Sequence, residues 1–203
     1  MLLRQFAAKL VTRLLKRRVD LLFAHDLAVP SPVAISNRLT ITVIGPEHRE
    51  PLLAFVHKHH VDIAGSIMMI EQCYREHYQG YVALLDGEIV GYRWWVSHDQ
   101  SHPHLALYRL ALAPGDVYAF GLYIARPFRG QGFALELVEK MLRLLEAQGR
   151  RRSYSAVMRG NEPSRRLHVK LGDTQVDRFT VLTLFSRFLL CRGRLHRCNP
   201  LSL

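Results

Sequence analysis

The chain has 203 residues, of which 49% are hydrophobic and 22% charged, a composition typical of one globular domain with a substantial core. The formal net charge of +11 is concentrated at the two ends, because residues 1–20 carry +5 and residues 187–203 carry +4, which leaves +2 for the body. A nearly neutral body offers no basic groove, and we therefore expect no binding of nucleic acid.

The cysteine content and the hydropathy of the chain indicate the cellular compartment in which the protein is expected. Cys73, Cys191 and Cys198 are too few and too irregularly spaced for a disulfide framework or a common zinc site, so free thiols in a reducing compartment are expected. No stretch has the ~18 uninterrupted apolar residues of a membrane span, and no signal-peptide pattern opens the chain. The sequence predicts a cytoplasmic protein.

Two histidine clusters, at residues 57–60 and 98–104, are typical of solvated helix ends and loops, and we expect no metal.

The N-terminal segment predicts a basic amphipathic helix over residues 2–22, since apolar side chains recur on one helical stripe and basic ones lie away from it. Pro30 and Pro32 then mark a linker. The stripe at residues 2–18 has two interpretations: peripheral contact with the inner face of an anionic membrane, or docking on the domain or on a second copy in a homodimer. The predicted organisation is residues 1–36 as helix and linker, 37–190 as the main domain, and 191–203 as a basic tail.

The main domain mixes α and β patterns. Asp86 and Gly87 separate two β-rich runs, which predicts a hairpin with a two-residue turn. The other predicted elements, with an excursion over residues 97–116, are a strand at Leu39–Ile44, helices within residues 45–60 and 63–77, a strand at Val117–Ala125, a helix at Gly132–Gln148, a strand at Ser153–Met158, a helix at Pro163–Leu171, and one long or two short strands over Gln175–Leu190. This order predicts an α/β fold with a mixed central sheet flanked by helices.

A glycine-containing turn joins the strand that ends near Ala125 to the long helix. A row of backbone N–H groups at a helix N-terminus binds anions, and glycine or alanine lets the anion approach the backbone. Arg129 adds a permanent charge, and the turn itself is Arg129-Gly130-Gln131-Gly132-Phe133-Ala134. Taken alone, this turn predicts either a phosphate site or only a tight connection.

A second motif follows about thirty residues later. Together the two motifs resemble the GNAT superfamily of N-acyltransferases, whose patterns are R/Q-x-x-G-x-G/A and N-x-x-A/S-x-x-L-Y-x-K-x-G-F. Arg129, Gly132 and Ala134 match the first pattern; the second is matched by Asn161, Ser164, Leu167, Lys170 and Gly172. The resemblance covers roughly residues 39–190 and implies a GNAT-like fold, to which the predicted N-terminal helix would be an addition.

The resemblance implies that acetyl-CoA, or another acyl-CoA, binds as a co-substrate. The diphosphate would lie on the backbone amides of residues 129–134, the pantetheine would pair like an added strand with the backbone from Leu122 to Ile124, and the thioester would lie where two strands part. Asn161 would contact the pantetheine arm or orient its loop. The implied cofactor-binding residues are Leu122, Ile124, Arg129, Gly130, Gln131, Gly132, Phe133, Ala134, Asn161 and Ser164.

Two departures from the family pattern concern the chemistry. His168 stands where the family has a tyrosine that serves as the acid for the leaving thiolate, so His168 either takes that role or only packs beside the cofactor. Asp173 replaces a phenylalanine and is expected to change only packing. The strand before Arg129 lacks the family's frequent glutamate, so the base is open among Asp116, Tyr118, Tyr123 and a bound water. Tyr123 and His168 are our candidate catalytic residues.

Three functions follow from these motifs. The first is an N-acetyltransferase that acts on a primary amine of a small molecule or biosynthetic intermediate in a ternary complex. The second is a longer-chain N-acyltransferase that uses acyl-CoA or an acyl carrier protein at the membrane surface. The third is a non-catalytic, membrane-associated protein that binds CoA. The acceptor, the acyl length and the oligomeric state are not predicted.

Overall fold

The computed structural model describes residues 15–33, 36–185 and 188–197. The strands within these ranges are β1 (Leu15–Asp26), β2 (Thr40–Val43), β3 (Gln79–Leu85), β4 (Glu88–Ser97), β5 (Asp116–Ile124), β6 (Arg152–Met158), β7 (Thr174–Leu184), β8 (Phe188–Cys191) and β9 (Arg194–Arg197). The helices there are α1 (Arg49–His59), α2 (Ile63–Arg75), α3 (Pro103–Tyr108), α4 (Phe133–Ala147) and α5 (Glu162–Lys170), with two short 3-10 turns at Pro46–His48 and Arg126–Phe128.

All nine of these strands form one sheet in the order β2-β3-β4-β5-β6-β1-β7-β8-β9. Neighbouring strands are antiparallel except β5 and β6, which run parallel. A parallel pair needs a crossover, and α4 supplies it. The prediction of an α/β fold with a mixed central sheet flanked by helices is confirmed.

The sheet separates two hydrophobic cores. Residues of α1, α2 and α3, such as Leu52, Ile70 and Tyr108, pack in one core, and residues of α4 and α5, such as Met141 and Leu167, pack in the other. Because side chains alternate along a strand, the sheet contributes to both cores. Helices therefore pack against both faces of the sheet.

The local signals for the hairpin and the long helix act as expected. Asp86 and Gly87 both have positive φ, at 52° and 86°, as the type I′ turn between β3 and β4 requires. Helix α4 ends just before Gly149, whose φ of 74° places it in the left-handed region typical of a helix C-terminus. No helix in the described ranges is long and apolar enough to cross a membrane.

The predicted N-terminal helix is wrong over residues 15–22. These residues belong to β1, which pairs with β6 on one side and β7 on the other, so the main domain begins at or before Leu15 rather than near Leu39. A central strand is buried on both faces, so the apolar run through Leu21, Leu22 and Phe23 has no strand alternation that would distinguish it from a helix. Residues 2–14 of the predicted helix lie outside the described residues.

The predicted basic tail is also wrong at its start. Cys191 is the last residue of β8, and the backbone of β9 pairs antiparallel with β8, so residues 191–197 continue the sheet. The intervening turn at Arg192 and Gly193, both with positive φ, makes this hairpin. The two-strand alternative for residues 175–190 agrees with β7 and β8.

Candidate functional site

Strands β5 and β6 part in the middle of the sheet. Their parallel pairing spans only Asp116–Tyr118 of β5 and Arg152–Tyr154 of β6. Farther along β5, two residues, Gly121 and Leu122, lie opposite the single residue Arg93 of β4, which makes a bulge that bends the strand. Gly121 has a φ of 62°, a backbone conformation that glycine adopts without strain.

A cavity of about 230 Å³ lies at this opening. It is lined by backbone and side chains from both parted strands, from β1 and β4, and from α3 and α5. The lining residues are Arg18, Asp20, Arg93, His104, Tyr108, Ala119, Phe120, Gly121, Leu122, Ser155, Ala156, Val157, Met158, Asn161, Ser164 and His168. Leu122, Asn161, Ser164 and His168, all predicted as site residues from the sequence, therefore meet at one cavity.

The turn before α4 has a geometry that fits an anion. Gly130 and Gly132 have φ of 78° and 86°, and a Cβ at either position would have no heavy atom within 4 Å, so the turn faces open space. Gly132 is the N-cap of α4 and provides no side-chain cap, which leaves the first-turn amides of Phe133 and Ala134 facing outward at the positive end of the helix. These features suit a diphosphate.

Two arginines stand beside this turn. The Nε of Arg129 donates to the Ile124 carbonyl at 2.9 Å, and its guanidinium lies 5.2 Å from the centre of the Tyr123 ring, so Arg129 braces the turn against the end of β5. The second arginine, Arg38, was not predicted from the sequence. Its guanidinium lies 4.3 Å from the centre of the Phe133 ring and donates to the Gln131 carbonyl. Arg38 therefore places an exposed positive charge at the start of α4.

Asn161 is the N-cap of α5. Its side-chain oxygen accepts from the backbone N–H of Ser164 at 3.3 Å. The backbone N–H of Asn161 donates to the Met158 carbonyl at 2.8 Å, which ties α5 to the end of β6. Because the oxygen is used by the cap, the side-chain NH₂ is the part of Asn161 that can donate to a bound molecule.

His168 belongs to a buried hydrogen-bonded group of three side chains. Its Nδ1 and the Asp173 Oδ2 are 2.5 Å apart, and the other carboxylate oxygen, Oδ1, lies 2.6 Å from the His25 Nδ1. The His168 ring also stacks on Phe23 with 4.8 Å between ring centres. The expectation that Asp173 changes only packing is wrong, because its carboxylate holds the His168 ring and leaves Nε2 as the nitrogen available to a bound molecule.

The pKa of His168 is lowered, chiefly because burial disfavours the imidazolium, and the hydrogen bond that His168 donates to Asp173 partly opposes this effect. The Arg93 guanidinium also lowers the pKa of His168. The neutral ring, with its proton on the Nδ1 that faces Asp173, is therefore the favoured form near neutral pH, and Nε2 then carries a lone pair.

The three side chains named as candidate bases lie in different places. The Tyr123 hydroxyl donates to the His59 carbonyl at 2.5 Å, and Tyr123 does not line the cavity described above. Tyr118 is 1% exposed, and burial raises the pKa of its hydroxyl, which lies 2.8 Å from the His104 Nδ1. Asp116 lines a separate cavity, of about 430 Å³, with arginines 150–152.

Sequence reasoning missed two buried charged residues at the cavity, Asp20 and Arg93. Arg93, in β4, is 3% exposed; its Nη2 donates to the Ser155 hydroxyl at 2.5 Å, and burial lowers its pKa to about 10. Asp20, in β1, is 2% exposed. A charged residue between two apolar neighbours was the available signal in both strands, and for Asp20 it was hidden by the preceding basic run and by the incorrect helix prediction.

The chain was compared with protein families and curated proteins. A family model described as the acetyltransferase (GNAT) family matches residues 46–173, which include both sequence motifs. No curated protein matches the chain.

Three solved structures share the fold. A conserved protein of unknown function from Staphylococcus epidermidis has a TM-score of 0.61 at 11% identity, over 91% of this chain and 67% of that one. A GCN5-related N-acetyltransferase from Sphaerobacter thermophilus has a TM-score of 0.59 at 18% identity, over 88% and 55%. A GNAT-family acetyltransferase from Novosphingobium aromaticivorans has a TM-score of 0.55 at 19% identity, over 91% and 68%. This chain thus spans between 55% and 68% of the length of these three structures.

Proposed function

The chain belongs to the GNAT acetyltransferase family, and from this premise we propose that it is an N-acetyltransferase that moves an acetyl group from acetyl-CoA to a primary amine of a small molecule or biosynthetic intermediate. The family resemblance drawn from the two sequence motifs is confirmed by the match over residues 46–173. The amine attacks directly, with both substrates bound.

One observation carries the proposal: β5 lines the opening with Ala119–Leu122 and then leads directly into the turn at the uncapped start of α4. The pairing of the two strands ends at Tyr118 and Tyr154, and the cavity begins there. A ligand with an anionic end and a narrow arm could place its anion at Gly130–Ala134 and its far end in the cavity. Acetyl-CoA has this form.

In this proposal the amides of residues 129–134 hold the diphosphate, with Arg38 adding positive charge. The backbone from Leu122 to Ile124 lies past the point where β6 ceases to pair with β5, so this edge of β5 can pair with the pantetheine arm. Asn161 and Ser164 border the same space from the start of α5. Acetyl-CoA supplies an acyl carbon that the thioester activates toward nucleophiles.

His168 is the residue that we assign to proton transfer, acting as the acid for the departing thiolate. His168 lines the cavity, and because Asp173 holds its Nδ1, Nε2 is the ring nitrogen left for proton transfer. The lowered pKa makes the imidazolium a stronger acid, so that each proton that reaches Nε2 is readily given up. Tyr123 has a backbone partner for its hydroxyl, and we propose it as a support for Arg129 as well as a candidate acid or base.

The size of the cavity favours a short acyl group. A volume of about 230 Å³ must hold the end of the acyl donor and the reacting end of the amine together. A longer chain, delivered by acyl-CoA or by an acyl carrier protein, is the alternative. Location in the cytoplasm, peripheral membrane contact through residues 2–14 and a homodimer remain part of this proposal as predictions from the sequence.

The test is isothermal titration of the full chain with acetyl-CoA, decanoyl-CoA and free CoA, repeated on Gly132→Glu. The new carboxylate would stand at the start of α4 and repel a diphosphate. Gly87→Glu is a matched control, because Gly87 has the same φ of 86° and the same open surroundings but lies in the β3–β4 turn. Backbone strain is thus equal in the two variants, and only the position of the charge differs.

We expect acetyl-CoA to bind to the wild type and to Gly87→Glu, and to lose at least about tenfold in affinity for Gly132→Glu. Tighter binding of decanoyl-CoA than of acetyl-CoA would select the longer-chain alternative. Equal affinities of the two glycine variants would contradict the assignment of the turn to the diphosphate. Binding of every ligand without release of free thiol, across a panel of primary amines, would indicate a non-catalytic protein.

A further inference from the structure

Asp20 is a buried carboxylate in the lining of this cavity, and the family pattern assigns no role to it. It lies in the middle of β1, opposite Met158 of β6 and Phe179 of β7. Its side chain is 2% exposed, and the residue lines the cavity at the parted strands. The N-terminal strand thus brings a negative charge to the candidate site.

The two oxygens of this carboxylate have different surroundings. Oδ2 accepts from the Tyr108 hydroxyl at 2.8 Å and from the Arg18 Nε at 3.0 Å. Oδ1 is buried and has no hydrogen-bond partner among the described residues. A buried carboxylate oxygen without a donor is costly, and such atoms in folded proteins are normally satisfied by a bound molecule or water.

The chemistry of a carboxylate narrows the class of ligand. An ionised carboxylate only accepts hydrogen bonds, so the missing partner must be a donor, and a cationic donor makes the stronger, charge-assisted bond. Arg93 also lines the cavity and has unpartnered Nε and Nη1. It does not satisfy Asp20: its Nη2 donates to the Ser155 hydroxyl, and Asp20 Oδ1, Arg93 Nε and Arg93 Nη1 all lack a partner among the described residues.

We propose that Asp20 Oδ1 accepts a hydrogen bond from the protonated amine of the acceptor, so that Asp20 selects cationic acceptors and positions them on the α3 side of the opening. This inference rests on the proposed function, since it names the residue that binds the amine. Asp20 acts here by ion pairing and hydrogen bonding. The proton that the ammonium must lose before attack is not assigned to Asp20.

The experiment uses n-butylammonium and its neutral counterpart n-butanol as probes of the full chain in the presence of CoA, with affinities read from NMR chemical-shift titrations. Asp20→Asn keeps the shape of the side chain and removes its charge. Asp177→Asn is the matched control, because Asp177 lies on β7, is partly exposed and pairs with Arg192 away from the cavity. We expect addition of n-butylammonium to change the chemical shifts of residues around the cavity.

We expect n-butylammonium to bind to the wild type and to Asp177→Asn alike, and about tenfold or more weakly to Asp20→Asn. n-Butanol should bind weakly to all three proteins. Absence of binding to the wild type, equal affinity for the amine and the alcohol, or an affinity of Asp20→Asn within twofold of the wild type would overturn the proposal.

Two further measurements keep the result interpretable. If Asp20→Asn does not fold, the wild type still decides the question: n-butylammonium must bind more tightly than n-butanol and must shift the NMR signals of Asp20 and its neighbours in β1. Acetyl-CoA affinity is measured on the same samples. Failure of the wild type to bind acetyl-CoA would defeat the proposed function, whereas unchanged amine affinity in Asp20→Asn beside normal acetyl-CoA binding would defeat only this inference.

Discussion

His102 should make the protein lose stability in acid. The ring is 3% exposed, lies 4.3 Å from the centre of the Phe120 ring, and caps the start of α3 through Nδ1, which accepts from the His104 amide at 3.1 Å. Burial, with a smaller contribution from His104, lowers the pKa of His102 to about 2. Protonation would place a charge among apolar side chains, and a proton on Nδ1 would remove the lone pair that accepts the capping hydrogen bond.

The sign and size of the effect follow from the difference between the folded and unfolded states. An unfolded histidine has a pKa near ~6.5, so the unfolded chain takes up a proton as the pH falls through that value while folded His102 does not. His102 therefore contributes stability that is present above the unfolded pKa and is lost as the pH falls toward the folded pKa. Relative to pH 7, the loss is about 1.3 kcal/mol at about pH 5.5 and about 2.5 kcal/mol at about pH 4.5.

The measurement compares wild type with His102→Asn by urea denaturation at these three pH values. Asparagine is a good N-cap and does not titrate, so the variant keeps the capping function and lacks the proton linkage. We expect the stability advantage of the wild type over the variant to shrink by about 2.5 kcal/mol between pH 7 and about pH 4.5. Two parallel curves of unfolding free energy against pH would refute the reasoning, since they would mean that His102 binds protons equally in both states.

The remaining predictions concern the reaction, β1 and the N-terminus. His168→Ala should lower turnover by about 10²–10⁴-fold, with acetyl-CoA affinity unchanged by titration. Asp173→Asn removes a hydrogen bond that raises the pKa of His168, so the alkaline limb of the pH–rate profile, along which His168 loses its acidic proton, should move to lower pH; an alkaline limb that does not move would show that His168 is not the acid. Leu22→Ala should cost about 2–5 kcal/mol of unfolding free energy, because Leu22 is buried in the central strand, whereas Val29→Ala, at an exposed residue, should cost little. Deletion of residues 1–14 should abolish cosedimentation with anionic liposomes and leave acetyl-CoA binding intact; unchanged cosedimentation would end the membrane interpretation.

The parts of the fold that were predictable are those with a local cause. The Asp86-Gly87 turn, the glycines before α4 and Gly149 after it each impose a backbone conformation on their own neighbourhood, so the sequence alone indicated them. The Asn161 motif is equally local, since its N-cap bond joins residues three positions apart. The Asn161 motif therefore includes residues that line the cavity between β5 and β6, whereas the turn before α4 lies outside the cavity lining.

The parts that were missed depend on contacts distant in sequence. β1 is a strand because β6 and β7 pair with it from both sides, and nothing within residues 15–26 states this. The role of Asp173 follows from the same strand, which carries His25 and Phe23 to the His168 ring. The position of Asp20 at the cavity is likewise set by pairing with residue Met158.

The position of β1 also bears on synthesis. The strand leaves the ribosome before the other described strands of its sheet, yet the first of its two partners to be made begins at Arg152, about 125 residues later than Asp26. At a translation rate of about 5–20 residues per second, the strand waits about 6 to 25 s without either neighbour. During that time the apolar run of Leu21, Leu22 and Phe23 has no sheet to cover it, which makes the nascent chain a natural client for chaperones and makes insertion of β1 a late step in folding.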